Sequence, residues 1–374
     1  MYTLAFSLEN ISVDISPLGI FPHPGGHKEA MSTRGKRPLM DTPVLISHKT
    51  AWLVHHAPQD LVKAVAAHDY EIGESHLSTR QRLDRIRQAL IDCGIPSDML
   101  NNIDIAVAFP FERVRASDVT CHVLGQNLPH DHIEELTPGI FICDEAFTFV
   151  CTAEWLSGIE YLEYGYEVCG DYRMGFEPSD SYNDQPATTS KSQIVELLDR
   201  SPGKPGAARA RRAIRHIYDH SASPMESASA IAFSLPTSEG GMGIRGIELN
   251  KQLEIPDRLW HCTKARTLRI DTLITCRRKK LGIEYKGGFH DEAERKGADA
   301  EREAVLGQMG YRIISLTSVQ FCSQLAFHRS MNSIREALGM PRRTDAEYQR
   351  KQDKLRRTLI RNWKKVDDSN TSDE

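Results

Sequence analysis

The sequence predicts a two-part α/β protein, and three observations predict it. Hydrophobic alternation at strand period recurs in both halves, interleaved with helix-period segments. A polar stretch rich in Ser, Asp, Pro and Gly separates the halves at residues 175–206. A chain of 374 residues exceeds what one small core requires and suits two.

Residues 1–43 carry Pro17, Pro22, Pro24, Gly25, Gly26, Pro38 and Pro43 with little periodicity, the composition of a disordered arm. Met31 and Met40 lie late in it and offer internal translation starts. From Val44 the character changes. Ser78 before Leu83, Ile86 and Leu90, with Gly94 beyond, predicts a capped amphipathic helix. Ile103 to Phe109, Val119 to Leu124 and Gly139 to Cys143 read as strands, and Phe147 to Tyr166 as mostly helical. Residues 44–174 are therefore expected to form a smaller α/β domain, and 175–206 a linker in part, with Ile194 to Leu198 able to begin a helix.

The second domain is expected over 207–340. A basic helix runs from Ala208 to His220. Pro224 to Leu235 follows as a helix with Ser223 as N-cap and proline in the first turn, where its missing N–H is no loss. Ile244 to Ile255, Thr267 to Cys276 and Leu281 to Lys286 alternate as strands. Asp291 to Met309 is a helix ended by Gly310, Tyr311 to Thr317 a fourth strand, and Ser318 to Leu338 a further helix. Residues 341–374 read as a basic helical tail with an acidic end.

Composition narrows the function classes. No apolar run approaches the roughly 20 residues that span a bilayer, and Met1 to Gly26 lacks the pattern of a signal peptide. Eight scattered cysteines, without a CxxC pair, read as thiols of a reducing compartment, hence a cytoplasmic protein. The net charge of −4 conceals an asymmetry: residues 201–374 hold 32 Lys and Arg against 22 Asp and Glu, leaving a balance of −14 in residues 1–200. A basic half joined to an acidic half points to nucleic acid as a partner of the basic part, and also fits two solvated surfaces.

The chemistry concentrates on the second and third strands of the rear domain. The basic turn Arg277, Arg278, Lys279 and Lys280 joins them as an antiparallel hairpin. Alternation puts Glu284 and Lys286 on one face, and a register bringing Asp271 beside Glu284 is available. Two carboxylates converging there can hold a hard cation such as Mg2+ or Mn2+. A neighbouring lysine supplies positive charge to position and polarise a water.

Asp271 followed by Glu284-Tyr285-Lys286, in the order helix, three strands, helix, strand, resembles the PD-(D/E)xK nuclease superfamily. In more detail, Pro224-Met225-Glu226-Ser227, Arg269-Ile270-Asp271, Ile283-Glu284-Tyr285-Lys286-Gly287 and Phe289-His290, then Asp299, Arg302 and Gly310-Tyr311, resemble small bacterial domains related to the very-short-patch mismatch-repair endonuclease. Many of those carry aspartate at the position of Lys286, and Ile270 stands where a proline would precede the first aspartate. The resemblance spans about residues 208–320. It implies a restriction-endonuclease-like core and a metal-dependent DNA endonuclease of defence or repair. Asp271, Glu284 and Glu226 would be its metal ligands, and Lys286 and His290 further catalytic groups. Arg277, Arg278, Lys279, Lys280 and Arg302 are candidates for nucleic-acid contact. Residues 44–174 more loosely resemble segments preceding such domains and the transcriptional antitoxins of abortive-infection systems. They offer no helix-turn-helix, and a protein partner is the alternative use.

Plainer roles exist for each residue. Ser223 to Glu226 is itself a capping box. Asp271 could pair with a surface lysine, Glu284 and Lys286 could blunt an edge strand, and Asp299 with Arg302 could form an i,i+3 ion pair. His55-His56 and His130-Asp131-His132 lack a further ligand and read as surface histidines. The rival functional readings are a DNA-binding regulator with an idle nuclease fold, and an interaction module.

Overall fold

The structure is a computed structural model. It describes residues 43–74, 76–125, 127–176, 182–276, 278–286 and 293–361, and the backbone alone for 293–300. The expected arm, Arg277, Gly287-Gly288, His290, the Asp299 side chain and residues 362–374 lie outside what is described. The chain is mixed α/β and divides into two units between Asp144 and Glu145. Among the described residues no helix is long and apolar enough to cross a membrane.

The first unit holds β1 (Val44–Ile46), α1 (His48–His56), α2 (Gln59–Ala66), α3 (Thr79–Asp92), β2 (Ile103–Val107), β3 (Val119–Val123), β4 (Ile133–Thr137) and β5 (Ile140–Cys143). Its five-stranded sheet runs in the order β3-β2-β1-β5-β4. The short β1 is central, antiparallel to β2 and parallel to β5, so Leu45 and Ile46 are buried from both sides. The helix expected after Ser78 is α3. Ser78 accepts from the backbone of Gln81, and the Gln81 side chain returns the bond. Its stripe of Leu83, Ile86 and Leu90 is fully buried. Pro138 and Gly139 turn β4 into β5, with Gly139 at a positive φ of 80° that a side chain rarely adopts.

The second unit begins earlier than expected. It contains α4 (Glu145–Thr152), α5 (Gly158–Val168), the two-residue strands β6 (Tyr172–Arg173) and β7 (Asn183–Asp184), α6 (Lys191–Arg200), α7 (Ala207–Ala213) and α8 (Pro224–Ser234). It continues with β8 (Ile247–Glu254), β9 (Thr267–Cys276), β10 (Lys279–Lys286), α9 (Ala293–Gln308), β11 (Arg312–Thr317), α10 (Ser318–Cys322), α11 (Gln324–Ala337) and α12 (Ala346–Leu359). Its four-stranded sheet runs β11-β10-β9-β8, antiparallel except for the parallel β10–β11 pair that α9 connects. Leu253, Ile270, Leu273 and Leu306 form one core cluster between that sheet and α9, and Ile255, Leu259 and Val305 a second.

Several expectations about organisation are refined or changed. The helix expected around Ile194 to Leu198 within 175–206 is α6. Ser190 caps that helix, and Ile194, Leu197 and Leu198 are buried at helical spacing. The domain boundary moves to 144/145 because every residue of α4 is buried and packs with α5, α6 and α7. The helix expected in the basic tail is α12, and it is packed rather than solvated. The buried face of α12 includes Gln352, Asp353 and Arg356, polar residues that hide its periodicity from the sequence. Arg356 bonds Asp353 and the carbonyls of Phe321 and Cys322, and the Tyr348 hydroxyl reaches the Gly241 carbonyl at 3.0 Å. The expected basic helix at 208–220 is shorter and ends at Ala213. The helix expected over 318–338 is broken at Ser323, whose side chain caps the second piece.

Candidate metal centre

The β9–β10 hairpin pairs Cys276 with Lys279 and proceeds in register to Thr272 opposite Ile283. One step further, Asp271 stands opposite Glu284. There the side chain takes over from the backbone ladder: Asp271 Oδ2 accepts a hydrogen bond of 3.0 Å from the Tyr285 N–H. On the other flank, Leu249 pairs with Thr272 and Lys251 with Ile270, which sets Asn250 opposite Asp271. Asn250 has a left-handed backbone with φ 47°, so the β8 strand kinks where it passes the aspartate.

Glu226 comes from the first turn of α8. The Ser223 side chain accepts from the Glu226 N–H, the expected N-cap. The Glu226 carboxylate returns not to Ser223 N–H but to Ala222 N–H at 2.9 Å, and to the Ser223 hydroxyl at 3.2 Å. Asn250 Nδ2 also donates to it, at 2.5 Å, and to the His220 carbonyl at 2.7 Å. Glu226 is thus both a capping residue and part of the acidic group.

Glu284 receives Arg302 Nη2 on Oε1 at 2.7 Å, and the same Nη2 donates to the Arg269 carbonyl. Arg302 is therefore bound to the acidic group itself. Lys286 is exposed at the end of β10, registered with Thr317 of β11 and two residues beyond Glu284.

Burial pushes all three carboxyls above their ordinary pKa. For Glu226 the Ala222 N–H opposes the shift and the Asp271 charge adds to it. For Asp271 the Tyr285 N–H opposes it, then Arg302 and Arg269. For Glu284 Arg302 opposes it and Asp271 adds to it. Asp271 is thus electrostatically coupled to both glutamates.

The donor set consists of oxygens: three carboxylates, plus the buried Asn250 Oδ1, which has no hydrogen-bond partner. Such a set suits hard divalent cations, with Mg2+ and Mn2+ first among them. The ligand atoms of the three carboxylates do not all lie within 4.8 Å of one another.

Other expected contacts do not gather here. Arg278, Lys279 and Lys280 lie at the opposite end of β10, about 20 Å along the strand from Lys286 at 3.3 Å per residue. Lys280 Nζ lies 5.2 Å from the centre of the Tyr311 ring. The charge asymmetry also shrinks when the folded unit is counted. Residues 145–200 bring 11 acidic and 3 basic side chains, so 145–374 carries +2 rather than +10.

Asn250 was missed in the sequence. Its signal was an asparagine inside a strand-period run, disfavoured there by propensity but tolerant of left-handed backbone. In the first unit the discounted histidines are engaged in hydrogen bonds: His55 with the Cys143 carbonyl, His56 with that of Trp52, and His132 with Asp144. A cluster of buried Ser47, His48, Thr50 and Asp104 with half-buried His122 was not anticipated.

No family model, curated protein or solved structure matches this chain.

Proposed function

We propose that the second unit is a Mg2+- or Mn2+-dependent phosphodiesterase acting on DNA, built as a restriction-endonuclease-like core from α8, β8, β9, β10, α9 and β11. The observation that carries this reading is the β9–β10 register, which continued one step past Thr272 and Ile283 sets Asp271 across from Glu284, with the Asp271 charge acting on both Glu226 and Glu284. Glu226, Asp271 and Glu284 would hold the cation. When bound, the cation supplies Lewis acidity toward a phosphate oxygen and acidifies a water. The Tyr285 N–H orients Asp271, and Arg302 orients Glu284 by gripping one oxygen. Lys286, at the strand end, neutralises charge on the phosphate and steers the attacking water. The basic turn starts about 13 Å along the strand from Glu284 at 3.3 Å per residue, at the far end of the hairpin from the carboxylates. It would touch the backbone of a duplex lying along the sheet.

The second reading, a DNA-binding regulator with an idle nuclease fold, is favoured by the Arg302–Glu284 bond, which competes for a metal-binding oxygen. The test uses plasmid, linear duplex and single-stranded DNA, with magnesium and then manganese. Lys286→Ala keeps metal and DNA affinity while cleavage drops by orders of magnitude, the pattern of lost transition-state stabilisation. Asp271→Ala loses metal and turnover together. Retained activity in Lys286→Asp makes the lysine a replaceable positioner. Equal cleavage by wild type and Asp271→Ala places the activity elsewhere. No cleavage by wild type, with clean salt-dependent DNA binding, supports the regulator.

A further inference from the structure

The loop between β8 and β9 stands at the same end of the sheet as Glu284 and Lys286, because β9 and β10 run antiparallel and the basic turn closes their other end. The loop is firmly built. The Ile255 N–H donates to the Arg266 carbonyl at 2.9 Å and closes its base. Leu259 is buried with Ile255 against Val305 of α9. Next to this anchor Trp260 stays 44% exposed, although tryptophan is highly buried on average. Its indole N–H donates to the Ile255 carbonyl at 2.9 Å, and the Arg266 guanidinium carbon lies 4.5 Å from the ring centre. The ring is thus held in place while much of it faces solvent. Residues 254–269 carry Arg258, Lys264, Arg266 and Arg269, all exposed, against Glu254 and Asp257. Arg258 and Lys264 form no ion pair among the described residues.

We propose that this loop binds DNA with an unpaired stretch: the Trp260 ring stacks on an unpaired base, and Arg258, Lys264 and Arg266 hold the phosphates beside it. The inference rests on the DNA reading of this unit and narrows it to a substrate class. An aromatic ring among exposed cations is the equipment of single-strand binding, since the ring accepts the face of any base and the cations follow the backbone. A ring already held by its N–H loses little freedom when a base stacks on it. A paired base is covered by its neighbours in the duplex, so exposing its face to a surface indole costs unstacking, which an unpaired base largely avoids. Glu254 pairs with Thr267 at the base of the loop, four residues or about 13 Å along β9 from Asp271. One short strand of DNA can touch both.

The experiment is fluorescence anisotropy of the full chain with fluorescein-labelled oligothymidylate and, separately, a labelled blunt duplex, in chelator so that nothing is cut. Trp260→Ala should weaken oligothymidylate binding by about tenfold or more and duplex binding little. Trp260→Phe keeps a ring without the indole N–H and should stay within a few-fold of wild type. Arg258→Ala and Lys264→Ala should each flatten the salt dependence of oligothymidylate binding by about 0.7 in slope. Wild-type affinity in Trp260→Ala overturns the proposal. So does a Trp260→Phe loss as large as that of alanine, which would reduce Trp260 to its bond with Ile255. An equal Trp260→Ala loss on duplex removes the unpaired base as the occupant. An unchanged slope in both charge variants overturns the phosphate contacts, and decides alone should Trp260→Ala fail to fold. If wild type binds neither DNA at low salt, the DNA reading itself falls. If it binds DNA and Trp260→Ala matches it, only the role of the loop falls.

Discussion

Asp104 in β2 of the first unit and Asp271 in β9 of the second are both strand aspartates shielded from solvent, and they are treated in opposite ways. Asp104 receives His122 Nε2 at 2.8 Å on one oxygen and the Thr50 hydroxyl at 3.4 Å on the other, while its own N–H donates to that hydroxyl at 2.8 Å. Asp271 receives one backbone N–H, its charge acts on Glu226 and Glu284, and Arg302 bonds Glu284. In the first arrangement both Asp104 oxygens and its N–H are bonded to protein groups, as buried polar networks require. The second gathers like charges that protein groups leave partly unsatisfied, an arrangement that stabilises little unless a cation joins it.

The widest separation between the two regions is expected in activity. Glu284→Ala should lower metal-dependent DNA cleavage by orders of magnitude, whereas Asp104→Asn, if folded, should leave turnover unchanged. Loss of cleavage in both, at equal stability, would erase the distinction.

The next effect is in pH dependence, where the units should slope in opposite directions. His48, stacked on His122 at 3.4 Å between ring centres, has its pKa lowered to about 3, by burial first and then by the His122 charge. The folded state thus binds fewer protons than the unfolded one. The stability His48 contributes is full above about pH 6.5 and is lost as pH falls toward 3, by about 5 kcal/mol across the whole window. Glu226, Asp271 and Glu284 are shifted up, so their contribution is present below the ordinary carboxylate range and is lost as pH rises through their folded values. Denaturant melts of wild type and His48→Asn near pH 7 and 5 test the first half. Asparagine suits the left-handed φ of 49° at that position. An unchanged pH slope in the variant would remove His48 as its cause.

The smallest contrast concerns two helix caps. Ser78→Ala and Ser223→Ala should each destabilise by about 1 kcal/mol. Only the second should also weaken Mn2+ binding, because the Ser223 hydroxyl holds Glu226. Equal Mn2+ affinity in the two variants would confine Ser223 to capping.

What could be read in advance followed from local periodicity. β9 runs from Thr267 to Cys276 as its alternation predicts, and the hairpin register that joins Asp271 to Glu284 follows from side-chain alternation. β1 and β4 escaped notice, since Val-Leu-Ile is too short to show a period and Ile-Glu-Glu-Leu-Thr alternates imperfectly. The boundary at 144/145 was hidden because an apolar helix such as α4 does not declare which neighbours will cover it. The tail helix α12 was expected, but its packing was hidden by its polar buried face. Within the site, the carboxylates were legible as a pattern. The Asn250 link and the Arg302–Glu284 bond were not, because both arise from tertiary contacts between residues 24 and 18 positions apart.

The central claim is that Asp271 and its neighbours hold a cation, and it is tested most directly by unfolding wild type and Asp271→Asn near pH 7, in chelator and in magnesium. In chelator the variant should be the more stable, because one buried like charge is gone, and the gap should close near pH 4. In magnesium at a hundredfold excess over Kd, wild type should gain about 2.7 kcal/mol and the variant little. An equal gain in both proteins, or none in wild type, would contradict the claim.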